Sequence, residues 1–169
     1  MKIEIIGFKP EHQPAFENLN RAWIEKHFEM EPLDVEVLTN PSKHILEKGG
    51  CILVAVADSL PVGVVALRKL ENGVYELTKM AVDETYRKEG IGRKLMQACI
   101  DKGKELGLQK LILYSNRTHN APAISLYWKM GFVEVAMGDA VYARGDIKME
   151  FDLGQHSISN TKSAETKMN

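Results

Sequence analysis

Three apolar stretches of strand length lie end to end between Cys51 and Val82, and no other part of the chain constrains the fold so tightly. Cys51 to Ala57 is a continuous apolar run. Asp58-Ser59-Leu60-Pro61 reads as a turn and Val62 to Leu70 as the returning strand. Glu71-Asn72-Gly73 is a hairpin signal, and Val74 to Val82 follows as a third strand. Connections this short force antiparallel neighbours, so the middle of the chain is a meander.

The flanks decide what covers that sheet. Lys2 to Phe8 is short and rich in Ile, a strand pattern. Pro10 opens a helical segment in which Phe16, Leu19, Asn20, Trp23, Ile24 and His27 recur at three- and four-residue spacing, ending near Phe28. Pro32 to Leu38 suggests a short helix and Pro41 to Glu47 a further helical turn, stopped by Gly49-Gly50. After the meander, Gly90 to Leu106 has helical spacing with Gly107 as its cap. Lys110 to Tyr114 reads as a buried strand, Ala121 to Met130 as a helix, and Phe132 to Val135 and Val141 to Phe151 as two last strands. A single mixed α/β sheet with helices on both faces is the economical packing. Residues 1–153 form one domain, and the polar, small residues from Gly154 to Asn169 read as a flexible tail.

Composition narrows the function by exclusion. Lys and Arg number 22 against 23 Asp and Glu, a net charge of −1, which gives no support to nucleic-acid binding. No apolar run is long enough to span a membrane, and Met1 to Lys9 lacks the pattern of a signal peptide. Cys51 and Cys99 read as buried free thiols. The scattered His12, His27, His44 and His119 follow no metal spacing, so no metal is expected. A reducing cytoplasm is the default compartment.

The clearest chemical signal is Arg87-Lys88-Glu89-Gly90-Ile91-Gly92, between a strand and a helix. Its glycines let backbone approach a ligand closely. Successive N–H groups at a helix start make an anion site, and Arg87, Lys88, Arg93 and Lys94 add positive charge. The spacing is not that of a Walker loop. It is not a dinucleotide fingerprint either, since the third glycine would fall on Leu95. A phosphate or pyrophosphate suits what is left.

With the preceding strand Leu77 to Val82, this segment resembles the pyrophosphate motif of the GNAT N-acetyltransferase superfamily. Asn120-Ala121-Pro122-Ala123-Ile124-Ser125-Leu126-Tyr127-Trp128-Lys129-Met130-Gly131-Phe132 is similar to that family's second signature. Read without the family, the same stretch is an amphipathic helix with Ala123, Leu126 and Tyr127 in the core. The resemblance covers about Lys2 to Asp152. It implies a bulged strand whose splayed end admits acetyl-CoA as co-substrate. Backbone groups of Met80, Ala81 and Val82 would then meet the thioester and pantetheine. Those of Arg87, Lys88, Glu89, Gly90, Ile91 and Gly92 would meet the pyrophosphate, and Asn120, Ala123 and Tyr127 would complete the site. Asn120 also fits the N-cap of its helix, and Asn116 is a weaker candidate of the same kind.

Acetyl transfer to an amine needs a base for the ammonium, donors for the oxyanion and a proton for the departing thiolate. The resemblance implies Glu76 as base, acting through water, and Tyr127 as acid. Otherwise Glu76 would be a solvent-facing strand residue or a partner of Lys79. Trp23, His27, Phe28 and Glu29 lie where the family's first helices wall the acceptor site, and Glu29 and Glu31 are acids positioned to attract a cationic amine. The expectation is direct transfer to a primary amine of a small molecule or peptide. A non-catalytic acetyl-CoA sensor is the alternative. A homodimer through the edge offered by Val141 to Phe151 is a further expectation.

Overall fold

The computed structural model describes residues 1–138 and 143–154. Val141 and Tyr142, where the last strand was expected to begin, and all of the expected tail beyond Gly154 lie outside the described residues.

Seven strands form one sheet: β1 (Ile3–Gly7), β2 (Cys51–Ala57), β3 (Leu60–Glu71), β4 (Val74–Val82), β5 (Lys110–Ser115), β6 (Val133–Val135) and β7 (Ile147–Asp152). Their order is β1-β2-β3-β4-β5-β7-β6. The meander β2-β3-β4 is antiparallel throughout, and β4 with β5 is the one parallel pair. The outermost strands are β1 and β6. The expected dimer edge therefore fails for β7, which is flanked on one side by β5 and on the other by β6.

Among the described residues four α-helices cover the sheet: α1 (Gln13–His27), α2 (Pro32–Thr39), α3 (Ile91–Glu105) and α4 (Ala121–Met130). A cluster built on Phe16, Ile24, Leu38, Val54 and Val64 seals α1 and α2 to one face. A larger cluster, with Leu95, Met96, Cys99, Leu111, Phe132 and Met149, seals α3 and α4 to the other. Burying two apolar sheet faces under helices gives the fold its core.

The turns explain where expectation and structure differ. Asp58 and Ser59 both take positive φ, so they alone turn the chain. β3 then starts at Leu60, two residues before the expected Val62. Pro61 is tolerated because the β2–β3 register shifts beside it, a place where a strand can do without a donor. On β3, Gly63 lets α3 approach closely. A Cβ there would lie 2.9 Å from Ile91 Cγ2 and 3.2 Å from Leu95 Cδ1. Gly63→Val should therefore cost about 1–3 kcal/mol through overpacking. Gly7→Ala, with nothing within 4 Å of its new Cβ, should shift the midpoint little. Urea unfolding of the two variants checks both.

Candidate active site

β4 and β5 run together only briefly. Val74, Tyr75 and Glu76 pair with Lys110, Leu111 and Ile112, and the ladder ends there. Further along, β4 carries an extra residue. Val64 of β3 pairs with Ala81 while Ala66 pairs with Thr78, so Lys79 and Met80 together oppose Val65. This is a β-bulge, and such an extra residue bends its strand. Lys79 makes it by taking φ +54°, a left-handed conformation that costs a side-chain-bearing residue on the order of 1 kcal/mol.

Between the parted strands opens a cleft of about 860 Å³, mouth included. Asn20, Trp23 and Ile24 of α1 form one wall, and Glu76 to Met80 form another. Leu113 to Asn116 with Asn120, Ala123 and Tyr127 line the opposite side, and Arg144 and Gly145 reach in from the segment before β7.

Polar side chains hold the bulge. Asn20 interrupts the apolar stripe of α1, is buried, and donates from Nδ2 to the Lys79 carbonyl at 3.2 Å. Lys79 Nζ donates to Asp34 Oδ1 at 2.6 Å. Arg144 donates to the same carboxylate through Nη2 to Oδ1 (2.7 Å) and Nη1 to Oδ2 (2.9 Å), and also to Glu31 Oε2 at 3.1 Å. Asp34 is 0% exposed. Burial by itself would push its carboxyl up. The hydrogen bonds from Arg144 and Lys79, with that from the Glu31 N–H, outweigh burial and hold it at about 2.

Three readings of these residues are corrected. Glu76 neither faces solvent nor pairs with Lys79. It is 3% exposed, and Arg68, its cross-strand neighbour, donates Nε (3.2 Å) and Nη2 (2.7 Å) to Oε1. The bulge sends Lys79 onto α2 instead. Glu31 does not stand ready for a cationic amine, because it is bonded to Arg144. Asn120 occupies the N-cap position of α4 but makes no side-chain cap. Its Nδ2 donates to Ser115 Oγ at 2.9 Å.

Of the residues expected to meet the co-substrate, Met80, Asn120, Ala123 and Tyr127 share the cleft lining, and Ala81, Val82 and the loop from Arg87 to Gly92 lie outside it. Tyr127 is 5% exposed and lines the cleft. Burial pushes its hydroxyl up to about 12, with the Asn120 side chain pulling slightly the other way. Ala123 and Leu126 are only half-buried, so the α4 face beside α3 is not closed core. Met80 lines the cleft, while Ala81 and Val82 lie beyond its lining, toward the loop. In the loop, Lys88 and Gly90 both have positive φ, +73° and +75°. No side chain caps α3 at Gly90, and a Cβ on Gly90 would meet nothing within 4 Å. Arg87, Lys88, Glu89 and Gly90 are exposed, Gly92 is half-buried and Ile91 anchors the turn in the core. An uncapped helix start with this geometry is a cradle for an anion.

On the acceptor side the expectations divide. Trp23 lines the cleft. His27 and Phe28 instead pack against His119, the first tilted and the second edge-on, each ring centroid 5.0 Å away. Glu29 is exposed and outside the lining. Asn116 lines the cleft but is occupied: Nδ2 donates to the Arg144 carbonyl and Oδ1 accepts from Thr118 and His119 N–H groups. Sequence reasoning missed Asp34, Arg68, Ser115 and Arg144. The polar Asn20 in an apolar stripe was the one visible clue to this cluster. Among the described residues, no group of three or more His, Cys, Asp or Glu could hold a metal ion, and no helix is long and apolar enough to cross a membrane.

A bulged strand leaving its parallel neighbour beside an uncapped, glycine-bearing helix start is the architecture of an acyl-CoA-type N-acetyltransferase. The sequence pattern of the acetyltransferase (GNAT) family matches residues 12–132, and the chain belongs to that family. An N-alpha-acetyltransferase of Sulfurisphaera tokodaii is 33% identical over 116 residues, covering 62% of this chain and 69% of that protein. The chain spans 65% to 69% of the length of this and two further bacterial and archaeal relatives. A GNAT-family acetyltransferase from Staphylococcus aureus Mu50 has the same fold, with a TM-score of 0.82, 24% identity and coverage of 90% of this chain and 99% of that one. So does the PaiA N-acetyltransferase of Thermoplasma acidophilum in complex with coenzyme A (TM-score 0.70, 22% identity, 90% and 99% covered).

The buried Asp34 cluster has a pH signature. A carboxyl held at about 2 rather than the usual 3.8 adds about 2 kcal/mol of stability above pH 4, lost as pH falls through 2. Asp34→Asn removes the buried carboxylate that Lys79 and Arg144 share and should cost about 3–5 kcal/mol at pH 7. The gap between variant and wild type should narrow between about pH 4 and pH 2. Urea titrations across that range measure it.

Proposed function

We propose that the protein transfers the acetyl group of acetyl-CoA directly to a primary amine of a small molecule or a peptide. The observation that carries this reading is the parting of β4 from β5 at Glu76, with Tyr127 lining the gap and the uncapped start of α3 beyond it. The residues fit the co-substrate. The N–H groups from Arg87 to Gly92 suit its pyrophosphate. The backbone of Met80, Ala81 and Val82 suits the pantetheine arm, with Asn120 and Ala123 opposite. Leu126 is half-buried, and its Cδ2 lies 3.8 Å from the position of a Cβ on Gly92, so α4 meets the start of α3 beside that loop. A relative of the same fold bound to coenzyme A supports the same ligand.

A thioester supplies an activated acetyl group when bound, and the protein supplies the rest. An incoming ammonium must lose a proton. Glu76 lines the cleft, and both Arg68 bonds land on Oε1, so Oε2 is the oxygen that takes this proton through a water. Tyr127, with its hydroxyl near 12, stays protonated at neutral pH and donates to the leaving sulfur. Complete transfer is uphill to an ordinary thiolate, with a pKa of about 8.5, but burial beside Tyr127 raises a thiolate as well. The relative named as an N-alpha-acetyltransferase supports a peptide amine among the acceptors.

An acceptor screen that reads free CoA thiol tests the reading. Binding of acetyl-CoA without transfer to any amine would make the protein a sensor. Glu76→Gln should slow turnover at neutral pH far more than at high pH, where the amine is already neutral. An unchanged pH–rate profile would remove Glu76 from the mechanism. Tyr127→Phe should lower kcat by about 10- to 100-fold while the KM for acetyl-CoA stays within about twofold. Steady-state kinetics separates these effects.

A further inference from the structure

The charges around the acceptor half of the cleft are arranged in closed pairs. Glu76 is held by Arg68, Asp34 by Lys79 and Arg144, and Glu31 by Arg144 again. Three carboxylates thus meet three cations, and none of the acids is left to receive a second ammonium on the acceptor. Removing an acid from its partner to serve a substrate would strand a buried cation, a costly exchange.

The rim is different. Tyr114 lines the cleft, and its cross-strand partner on β7 is Lys148. Lys148 Nζ stands 5.8 Å from the centre of the Tyr114 ring, where the aromatic face steadies it. Among the described residues Lys148 has no ion-pair partner. Two nearby acids are committed: Glu150, on the same strand, is held by Lys110, and Glu134 of β6 by Arg117. Asp146, exposed and outside the cleft lining, accepts the Arg117 N–H. Among the described residues Lys148, itself outside the cleft lining, is thus a cation without an ion-pair partner standing over one wall residue of a cleft whose acids are paired.

We infer that the acceptor is an amine carrying an anionic group, a carboxylate or its equivalent, with Lys148 receiving that anion at the rim. A polyamine is the substrate this arrangement disfavours. The inference rests on the transferase reading and adds to it the charge class of the acceptor.

The test compares acceptors matched in length and differing only in charge. β-Alanine, β-alaninamide and 1,3-diaminopropane form a small-molecule series. Tetrapeptide amides beginning with Asp, Asn or 2,4-diaminobutyrate form a peptide series, and the two arms distinguish a metabolite from a peptide source. Rates are compared per unprotonated amine. The expected result in at least one arm is a kcat/KM about tenfold higher for the anionic than for the neutral acceptor, and lowest for the cationic one. Added salt should shrink that ratio. Lys148→Met should bring the ratio close to one, and Lys148→Glu should invert it. Lys104→Glu, the same change in net charge on an exposed part of α3, should leave it alone. Equal or faster turnover of neutral or cationic amines, or a preference indifferent to Lys148, would overturn the charge inference and leave the transferase reading standing. Release of CoA thiol with no amine of any class would sink both.

Discussion

The separation of β4 from β5 is the constraint on which the rest of this structure depends. A parallel pair deep in a sheet ordinarily continues, because every unpaired backbone group in a buried place costs free energy. Here the ladder ends at Glu76 and Ile112, and the bulge at Lys79–Met80 keeps β4 on a diverging path. The extra residue must come with a left-handed backbone at a lysine. That conformation is not self-sustaining, and the surroundings over-determine it: Asn20 fixes the carbonyl and Asp34 fixes the ammonium of the same residue. The site is therefore held open by α1 and α2, which are far from it in sequence.

The Asp34 cluster does a second thing. Buried ion pairs seldom add net stability over a well-packed apolar alternative, because desolvation offsets the Coulomb gain. Their use is to fix one arrangement among several. Arg144 lies 110 positions from Asp34, yet two of its nitrogens bond that carboxylate. The segment before β7 is thereby fastened across the sheet to α2, and Arg144 and Gly145 become part of the cleft wall. The same contact also sets the charge seen by an incoming amine, so the positioning of the wall and its electrostatics cannot be altered separately.

What the sequence disclosed followed from locality. β2, β4 and α4 have the bounds read from their apolar runs and turn residues, because each is determined by residues within a few positions of one another. The glycine-bearing start of α3 and the Asn120 to Phe132 segment are equally contiguous, and the family was legible from them. β3 was misjudged at its start because Pro61 looked like a turn residue, when Asp58 and Ser59 complete the turn alone. The ion cluster was illegible for a deeper reason. Asp34, Lys79 and Arg144 sit in unremarkable local patterns, and only the fold brings them together. Asn120 was ambiguous between a helix cap and a ligand contact; it makes no cap, and its Nδ2 donates to Ser115.

That contrast bears on how such a chain can change its acceptor. In the proposed reading the donor half rests largely on backbone groups in two continuous segments, which side-chain substitutions barely touch. The inner acceptor wall rests on paired buried charges. Loss of one member there leaves its partner desolvated, at about 3–5 kcal/mol, a large part of the roughly 5–15 kcal/mol that holds a domain folded. Lys148 at the rim carries a smaller penalty, since it is only half-buried and has no ion-pair partner among the described residues to leave behind. Selection among amines therefore has room to act where Lys148 stands over Tyr114, outside the closed pairs, without disturbing the parted strands that make transfer geometrically feasible.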